Sequence, residues 1–201
     1  MKAVVTFVAI ILLILLAGES AHAQVGGAGF NPIKAQTAYV FIDGSNLFHK
    51  LREASVQMLS LYQVVKQAIK PRELVRAYLY TIEDRFTKAQ AVHGKDFCKN
   101  IRVDYGITVQ TPKGVREKAV DAMLVADLIY HAAQKNCDFA LVVAYDQDYI
   151  RALNRVEDFG CRTGVLSLCE HAPVPLQEAC DQYVFYDVDY MVRNNWAAPL
   201  K

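Results

Sequence analysis

The sequence has no surplus of positive charge, and this limits how the chain could bind a polyanion. Its 201 residues carry 22 Lys and Arg against 21 Asp and Glu, for a formal net charge of +1. Any contact with nucleic acid would therefore need a local basic surface rather than a basic protein. The sequence also has no internal repeat and no low-complexity tract, and its length suits one sizeable α/β domain rather than two.

Several motifs of cofactor and metal chemistry are missing as well. The sequence contains no Gly-rich phosphate loop of the P-loop or dinucleotide-binding type, so no nucleotide cofactor is expected. The five cysteines show no C-x-x-C spacing typical of zinc sites, and the histidines have no metal-ligand spacing. An odd number of cysteines leaves at least one thiol unpaired or paired between chains. If the chain is exported, Cys169 and Cys180 are the pair to test for a disulfide.

The N-terminal segment has the layout of a secretory signal. A short positive start precedes an almost unbroken apolar run, and small residues flank a cleavage position at Ala21-His22-Ala23. We predict a signal peptide, or an uncleaved membrane anchor, at residues 1–23, a flexible Gly-containing linker at 24–36, and a folded domain at 37–201. The protein is then secreted or periplasmic, or cytoplasmic if the segment is not a functional signal. Membrane contact is expected only if the segment stays uncleaved.

Continuous apolar runs that end in carboxylates are the strongest structural pattern. Residues 139–144 are followed by Asp146-Gln147-Asp148, and residues 38–42 by Asp43. Runs without polar alternation are typical of strands buried on both faces of a parallel sheet. Open α/β sheets bind their ligands at the carboxyl ends of such strands. The sequence therefore predicts a three-layer, Rossmann-like α/β domain with a mostly parallel central sheet.

Strands and helices are predicted to alternate along the whole domain, which favours right-handed crossovers and helices on both faces of the sheet. After Asp43, a helix is expected with Ser45 or Asn46 as its cap. Further strands are predicted at residues 74–82, 106–110, 165–168 and 183–186. Further helices are predicted at residues 59–69, 85–99, 116–134, 146–159, 175–181 and 188–196.

A fourth carboxylate, Asp121, lies in the first turns of the predicted helix 116–134. If the first and later strands are neighbours, Asp43, Asp121, Asp146 and Asp148 would meet in one crevice. Four acids with few neutralising bases suit hard, oxygen-liganded Mg²⁺ or Mn²⁺, and such a cluster fits phosphodiester hydrolysis. The alternative for the last two acids is an ordinary helix start, with Asp146 as the N-cap and Asp148 favoured by the helix dipole.

Three stretches together resemble the NYN family of PIN-like ribonucleases. They are Val-Phe-Ile-Asp-Gly-Ser-Asn-Leu at residues 40–47, Lys-Ala-Val-Asp at 118–121 with Asp127, and Asp-Gln-Asp-Tyr at 146–149. The motifs occur in family order, and the resemblance runs from about residue 39 to residue 168. It implies a PIN-like fold and metal-dependent endonucleolytic cleavage of RNA, with single-stranded RNA as the expected partner.

Carried over residue by residue, the resemblance also assigns roles. Asp43, Asp121, Asp146 and Asp148 would be the catalytic acids and the ligands of Mg²⁺ or Mn²⁺. Asn46 would orient a ligand or the scissile phosphate, and Lys118 would contact that phosphate. Where many family members carry Ser-Gly, this chain has Ala144-Tyr145. Tyr145 would therefore meet the substrate, either stacking on a base or obstructing it.

Two other functions are compatible with the same residues. A non-catalytic module that binds RNA or metal through a degenerate PIN-like site would retain the fold without turnover. A phosphatase-like hydrolase would need an aspartyl nucleophile, for which Asp43-Gly44-Ser45-Asn46 gives little support. The nuclease hypothesis carries one geometric expectation, namely that the four acids converge on one solvent-reachable pocket.

Overall fold

The computed structural model describes residues 35–111 and 114–200, without the side chains of residues 110, 111 and 114–118. The predicted leader at 1–23 and residues 24–34 of the predicted linker lie outside the described residues. Regular structure starts at Thr37. No helix in the described ranges combines the length and the apolar character that crossing a membrane requires.

Strands and helices alternate along the domain, as the sequence predicts, except between residues 102 and 118, where three described strands follow one another without a helix. The strands are Thr37–Asp43 (β1), Val56–Met58 (β2), Glu73–Thr81 (β3), Arg102–Tyr105 (β4), Ile107–Thr111 (β5), Gly114–Lys118 (β6), Phe139–Val143 (β7), Arg162–Leu168 (β8), Gln182–Tyr186 (β9) and Ala197–Pro199 (β10). The helices are Gly44–Glu53 (α1), Leu61–Ala68 (α2), Glu83–His93 (α3), Val120–Ala133 (α4), Ile150–Asp158 (α5), Val174–Glu178 (α6) and Val188–Arg193 (α7). A 3-10 turn at Gln147–Tyr149 leads into α5.

The central sheet has six strands in the order β4-β3-β1-β7-β8-β9, and every neighbouring pair is parallel. The two apolar runs noted in the sequence, β1 and β7, lie side by side, with Val40 opposite Leu141. Because these strands are parallel, their carboxyl ends meet at the same edge of the sheet. Asp43 and the acids that follow β7 are thereby brought to one edge.

Helices cover both faces of this sheet, which confirms the three-layer architecture. One buried cluster packs α1 and α2 against the sheet and includes Leu47, Leu51 and Val64. The other packs α4 and α5 against the opposite face and includes Leu124 and Leu153. Strands with apolar side chains on both faces are stable only when both faces are covered, which explains the lack of polar alternation in β1 and β7.

The predicted helix 116–134 is wrong in its first turn. Residues up to Lys118 instead form β6, which pairs with β5 in an antiparallel hairpin. Ala119 then takes a left-handed backbone conformation with φ of 72° and turns the chain into α4. The predicted helix 85–99 also ends early, because Gly94 has a φ of 90° that favours glycine and stops α3 at His93. A two-stranded sheet of β2 and β10 was not predicted.

All five cysteines are free thiols, and Cys169 and Cys180 are not bonded to each other. The Cys180 thiol donates instead to the carbonyl oxygens of Gln177 and Gln182. Two other thiols, those of Cys137 and Cys161, hydrogen-bond to each other, and their Sγ atoms are 3.8 Å apart.

Candidate active site

Asp43 is the last residue of β1, is 1% exposed, and caps α1. Its Oδ1 accepts the backbone N–H of Asn46 at 3.0 Å, and its Oδ2 accepts the side-chain amide of the same residue. The predicted cap was Ser45 or Asn46, but Asp43 has the extended backbone that an N-cap requires and takes this role. Gly44 allows the close approach of α1 to β3, because a Cβ there would lie 2.7 Å from the Tyr80 carbonyl oxygen.

The hydroxyl of Tyr149 joins Asp43 to Asp121. It lies 3.0 Å from Asp43 Oδ2 and 3.2 Å from Asp121 Oδ1, so two carboxylates from distant parts of the chain converge on one atom. Tyr149 is 2% exposed and occupies the 3-10 turn that follows β7. Tyr149 is not among the predicted site residues. The one sequence feature that points to a role in the site is its position directly after Asp148.

Burial and hydrogen bonding act on the pKa of the Asp43 carboxyl in opposing directions. Burial raises the pKa of the Asp43 carboxyl above its ordinary value of 3.8, while hydrogen bonds from Asn46 and Tyr149 act to lower it. Burial is also the main reason that the pKa of Tyr149 is raised, and the nearby carboxylates of Asp43 and Asp121 add to this. Tyr149 therefore stays a hydrogen-bond donor at neutral pH. A single hydroxyl proton cannot neutralise two carboxylates, so the pair formed by Asp43 and Asp121 favours a bound cation.

Asp121 lies in the first turn of α4 and is exposed, unlike Asp43. Asp146 is also exposed, and its Oδ1 caps the 3-10 turn by accepting the backbone N–H of Asp148 at 2.9 Å. The predicted capping role of Asp146 is therefore observed, and it involves only one of the two carboxylate oxygens. Asp43, Asp121 and Asp146 line a single cleft, whereas Asp148, which is exposed, is not among the described residues that line it.

The cleft has a volume of about 820 Å³ and two chemically different parts. The three aspartates and Asn46 lie along the carboxyl edge of the sheet. The remaining lining comes mainly from α1 and α3, and it includes the cationic side chains of Arg52, Arg85 and Lys88. Carboxylates beside cationic side chains are an arrangement that can hold a metal ion and a phosphate ester together.

Lys118 and Tyr145 are the other two predicted substrate contacts, and the structure describes the side chain of Tyr145 only. Lys118 ends β6, and its side chain lies outside the described part of the structure. Tyr145 is 8% exposed, and its hydroxyl donates to the carbonyl of Leu168 at 2.5 Å and accepts the Leu168 N–H at 2.7 Å. The expectation that Tyr145 stacks on or obstructs the substrate is therefore not supported. Its hydroxyl is engaged with the backbone of β8, and burial raises its pKa.

The donor chemistry of the acidic part fits Mg²⁺ or Mn²⁺. Within residues 35–111 and 114–200, no group of three or more His, Cys, Asp or Glu side chains is close enough to hold a metal. Mg²⁺ does not require such a cage, because it usually keeps several waters and binds one or two carboxylates together with substrate phosphates. Asp43 and Asp121, which meet at the Tyr149 hydroxyl, supply this kind of hard-oxygen pair.

Comparisons with known proteins identify a family and a similar fold. A family model of the NYN domain matches residues 37–189. Among curated proteins, none matches the sequence. The fold is similar to that of a solved protein of unknown function from Vibrio parahaemolyticus, with a TM-score of 0.61, 19% sequence identity, and coverage of 77% of this chain and 95% of that chain. At this identity the likeness shows the fold alone.

Proposed function

We propose that this chain, which belongs to the NYN domain family of PIN-like ribonucleases, is a metal-dependent endoribonuclease that hydrolyses phosphodiester bonds of single-stranded RNA. The family itself indicates a nuclease-type function connected with RNA. The observation that carries the finer proposal is the shared cleft, where Asp43, Asp121 and Asp146 face cationic side chains of two helices.

In this proposal Asp43 and Asp121 would hold Mg²⁺ or Mn²⁺, and Asp146 lines the same cleft. The ion would supply an activated water and stabilise the charge that develops on the phosphate. Asp43 is held rigidly by the two hydrogen bonds from Asn46, so it fixes the position of the acidic part. Asn46 therefore orients the Asp43 carboxylate, in addition to the role toward the substrate that the sequence predicts. Asp121 is held against Asp43 by Tyr149.

Asp146 is an exposed carboxylate at the cleft, a position suited to proton transfer. Its Oδ1 is tied to the Asp148 N–H, which orients the carboxylate while the side chain stays exposed. A carboxylate of this kind can accept the proton of the attacking water as a general base. Asp148 contributes its backbone to this arrangement, and we assign its carboxylate no part in the chemistry.

A substrate panel tests the proposed reaction. The purified full chain should cleave single-stranded RNA internally in Mn²⁺ or Mg²⁺, and lose this activity when the ions are chelated. It should leave a phosphomonoester intact, because both carboxylate oxygens of Asp43 are engaged in hydrogen bonds with Asn46 and Tyr149 and are not free for nucleophilic attack. RNA binding without cleavage would support the non-catalytic module in its place, and phosphomonoester turnover would support the phosphatase-like alternative.

Removing the hydroxyl group from Tyr149 or from Tyr145 distinguishes a role in the site from a role in stability. Tyr149→Phe should lower RNA cleavage about 10- to 100-fold, since loss of a group that orients metal-binding residues typically has effects of this size. Tyr145→Phe should leave cleavage unchanged and lower the free energy of unfolding by about 1–3 kcal/mol, because buried backbone groups of Leu168 lose their partner. Cleavage rates and thermal melts of both variants make the comparison. Equal cleavage by Tyr149→Phe and wild type would remove Tyr149 from the site.

The place of action is a further part of the proposal. The leader predicted at residues 1–23 would deliver the nuclease to a secreted or periplasmic location, where its substrate would be RNA outside the cytoplasm.

A further inference from the structure

The cleft extends well beyond the three aspartates. Its far side is formed by α1 and α3, and five residues of these helices define what we term the helical wall: Phe48, Arg52, Arg85, Lys88 and Val92. Arg85, Lys88 and Val92 are spaced at three and seven residues along α3, which puts them on one face of that helix. The wall therefore presents a continuous surface that faces the same space as the acids.

The helical wall combines exposed apolar surface with cations. Val92 is 44% exposed, and the half-buried ring of Phe48 packs edge-on against Phe97 with ring centroids 6.0 Å apart. Lys88 pairs with Asp84 at 2.6 Å, but both side chains are mostly exposed. Exposed pairs of this kind contribute little to stability, so the Lys88 ammonium group can exchange Asp84 for a phosphate at low cost.

We propose that the helical wall binds the nucleotides of single-stranded RNA that flank the bond to be cleaved, and this inference rests on the proposed function. Arg52, Arg85 and Lys88 contact the phosphates, while Phe48 and Val92 contact the bases. Sites that bind single strands combine a positively charged groove with side chains on which bases pack. The bases of a duplex are paired and stacked inside the helix, so they cannot pack against the apolar side chains of this wall.

Equilibrium binding in a chelator tests the wall without requiring cleavage. The probe is a labelled oligouridine of about twelve nucleotides, a length within the site sizes of single-strand binding domains. The test variant is Arg85→Gln with Lys88→Gln in the full chain. The matched control is Arg151→Gln with Arg155→Gln, which removes two exposed charges from α5, away from the residues that line the cleft.

We expect the Kd of the test variant to rise about 10-fold, and its slope of log Kd against log salt to fall by about 1.4, as for two lost phosphate contacts. The control should keep the wild-type Kd and slope to within about twofold. Equal Kd and slope in the two variants would overturn the inference, even if wild type cleaves RNA. If binding is weaker in the test variant but wild type cleaves no RNA, the helical wall remains an RNA-binding surface and the proposed nuclease activity is contradicted.

Two thiols at the opposite edge of the sheet form a separate candidate site. Cys137 precedes β7 and Cys161 precedes β8, so both lie near the amino ends of adjacent parallel strands. Their Sγ atoms are 3.8 Å apart, and the residues are 5% and 4% exposed. Because the sulfurs already touch, a small movement would bring them to bonding distance.

We infer that Cys137 and Cys161 form a disulfide when the chain folds in an oxidising compartment. The Cys137 thiolate attacks one sulfur of the external disulfide of a thiol oxidoreductase or of oxidised glutathione, and releases the other sulfur as a thiol. The Cys161 thiolate then attacks Cys137 Sγ and displaces the second thiol. One Sγ–Sγ bond forms, one external disulfide is reduced, and both protons pass to the released thiols. The hydrogen bond shared with Cys161 lowers the pKa of Cys137, which suits Cys137 to the first attack.

Peptide mapping tests this link. The reduced full chain is refolded in a glutathione redox buffer, alkylated in denaturant and digested with trypsin. We expect residues 136–151 joined to residues 156–162 in wild type and in Cys98→Ser, and no such peptide in Cys137→Ser. Oxidation should raise the melting temperature of wild type by roughly 5–10 °C. Five alkylated cysteines in the refolded wild type, or linkage of Cys137 to glutathione alone, would overturn the inference.

Discussion

Asp146→Asn should lower kcat/KM for RNA by about 10²–10⁴-fold, whereas Asp148→Asn should keep most of the activity. The two carboxylates are one residue apart in the sequence, but Asp146 lines the cleft and Asp148 does not. In the proposed mechanism Asp146 accepts a proton from the attacking water, and an uncharged amide in its place cannot act as this base. The matched substitution at Asp148 changes the net charge of the same turn by the same amount.

The fold should survive both substitutions. In the Asp146→Asn variant the new side chain would still offer an oxygen to the Asp148 N–H, and asparagine is as good an N-cap as aspartate. Melting temperatures of the two variants should therefore match that of wild type. Steady-state cleavage of a single-stranded RNA, measured beside thermal melts, makes the comparison. Equal loss of activity in both variants would point to charge rather than position, and full activity in Asp146→Asn would remove this carboxylate from the site.

Asp43→Asn should abolish cleavage and, without metal, make the fold relatively more stable as the pH rises. Burial raises the pKa of Asp43 in the folded state above its ordinary value of 3.8. The folded chain then binds this proton more tightly than the unfolded chain does. The stability that Asp43 contributes is fully present below the unfolded pKa, and it is lost as the pH rises through the higher folded pKa. The asparagine in the Asp43→Asn variant carries no proton to lose, so the variant escapes this decline.

Thermal melts in a chelator, from about pH 4 to pH 8, test the sign of this effect. The melting temperature of Asp43→Asn minus that of wild type should increase with pH through the window above 3.8. Asp148→Asn, at an exposed position, serves as the control and should show no such trend. A difference that decreases with pH would show that the hydrogen bonds of Asn46 and Tyr149 outweigh burial at this carboxyl.

The sequence located the acids because their positions depend on strands that are recognisable locally. An apolar run without alternation identifies a buried strand, so Asp43 and Asp146 could be placed at strand ends, and the parallel pairing of β1 with β7 brings them to one edge. Asp148 could not be separated from Asp146 in this way. In an extended segment the two would share a face, but the chain turns at Gln147 into a 3-10 helix.

The features that sequence reasoning missed depend on contacts between distant residues. Tyr149 acquires its role from Asp43 and Asp121, which are 106 and 28 positions away. The same holds for the β2–β10 pairing at the two ends of the domain. The burial of Tyr145 also depends on a distant contact, because its hydroxyl bonds the backbone of Leu168, 23 positions along the chain.

Binding of Mn²⁺ to the full chain, followed by the loss of the free-ion electron paramagnetic resonance signal, tests the proposed site most directly. We expect saturable binding in wild type and in Asp148→Asn, and strongly weakened binding in Asp43→Asn and Asp121→Asn. Absence of binding in wild type, or equal binding in all four proteins, would contradict a metal site at Asp43 and Asp121.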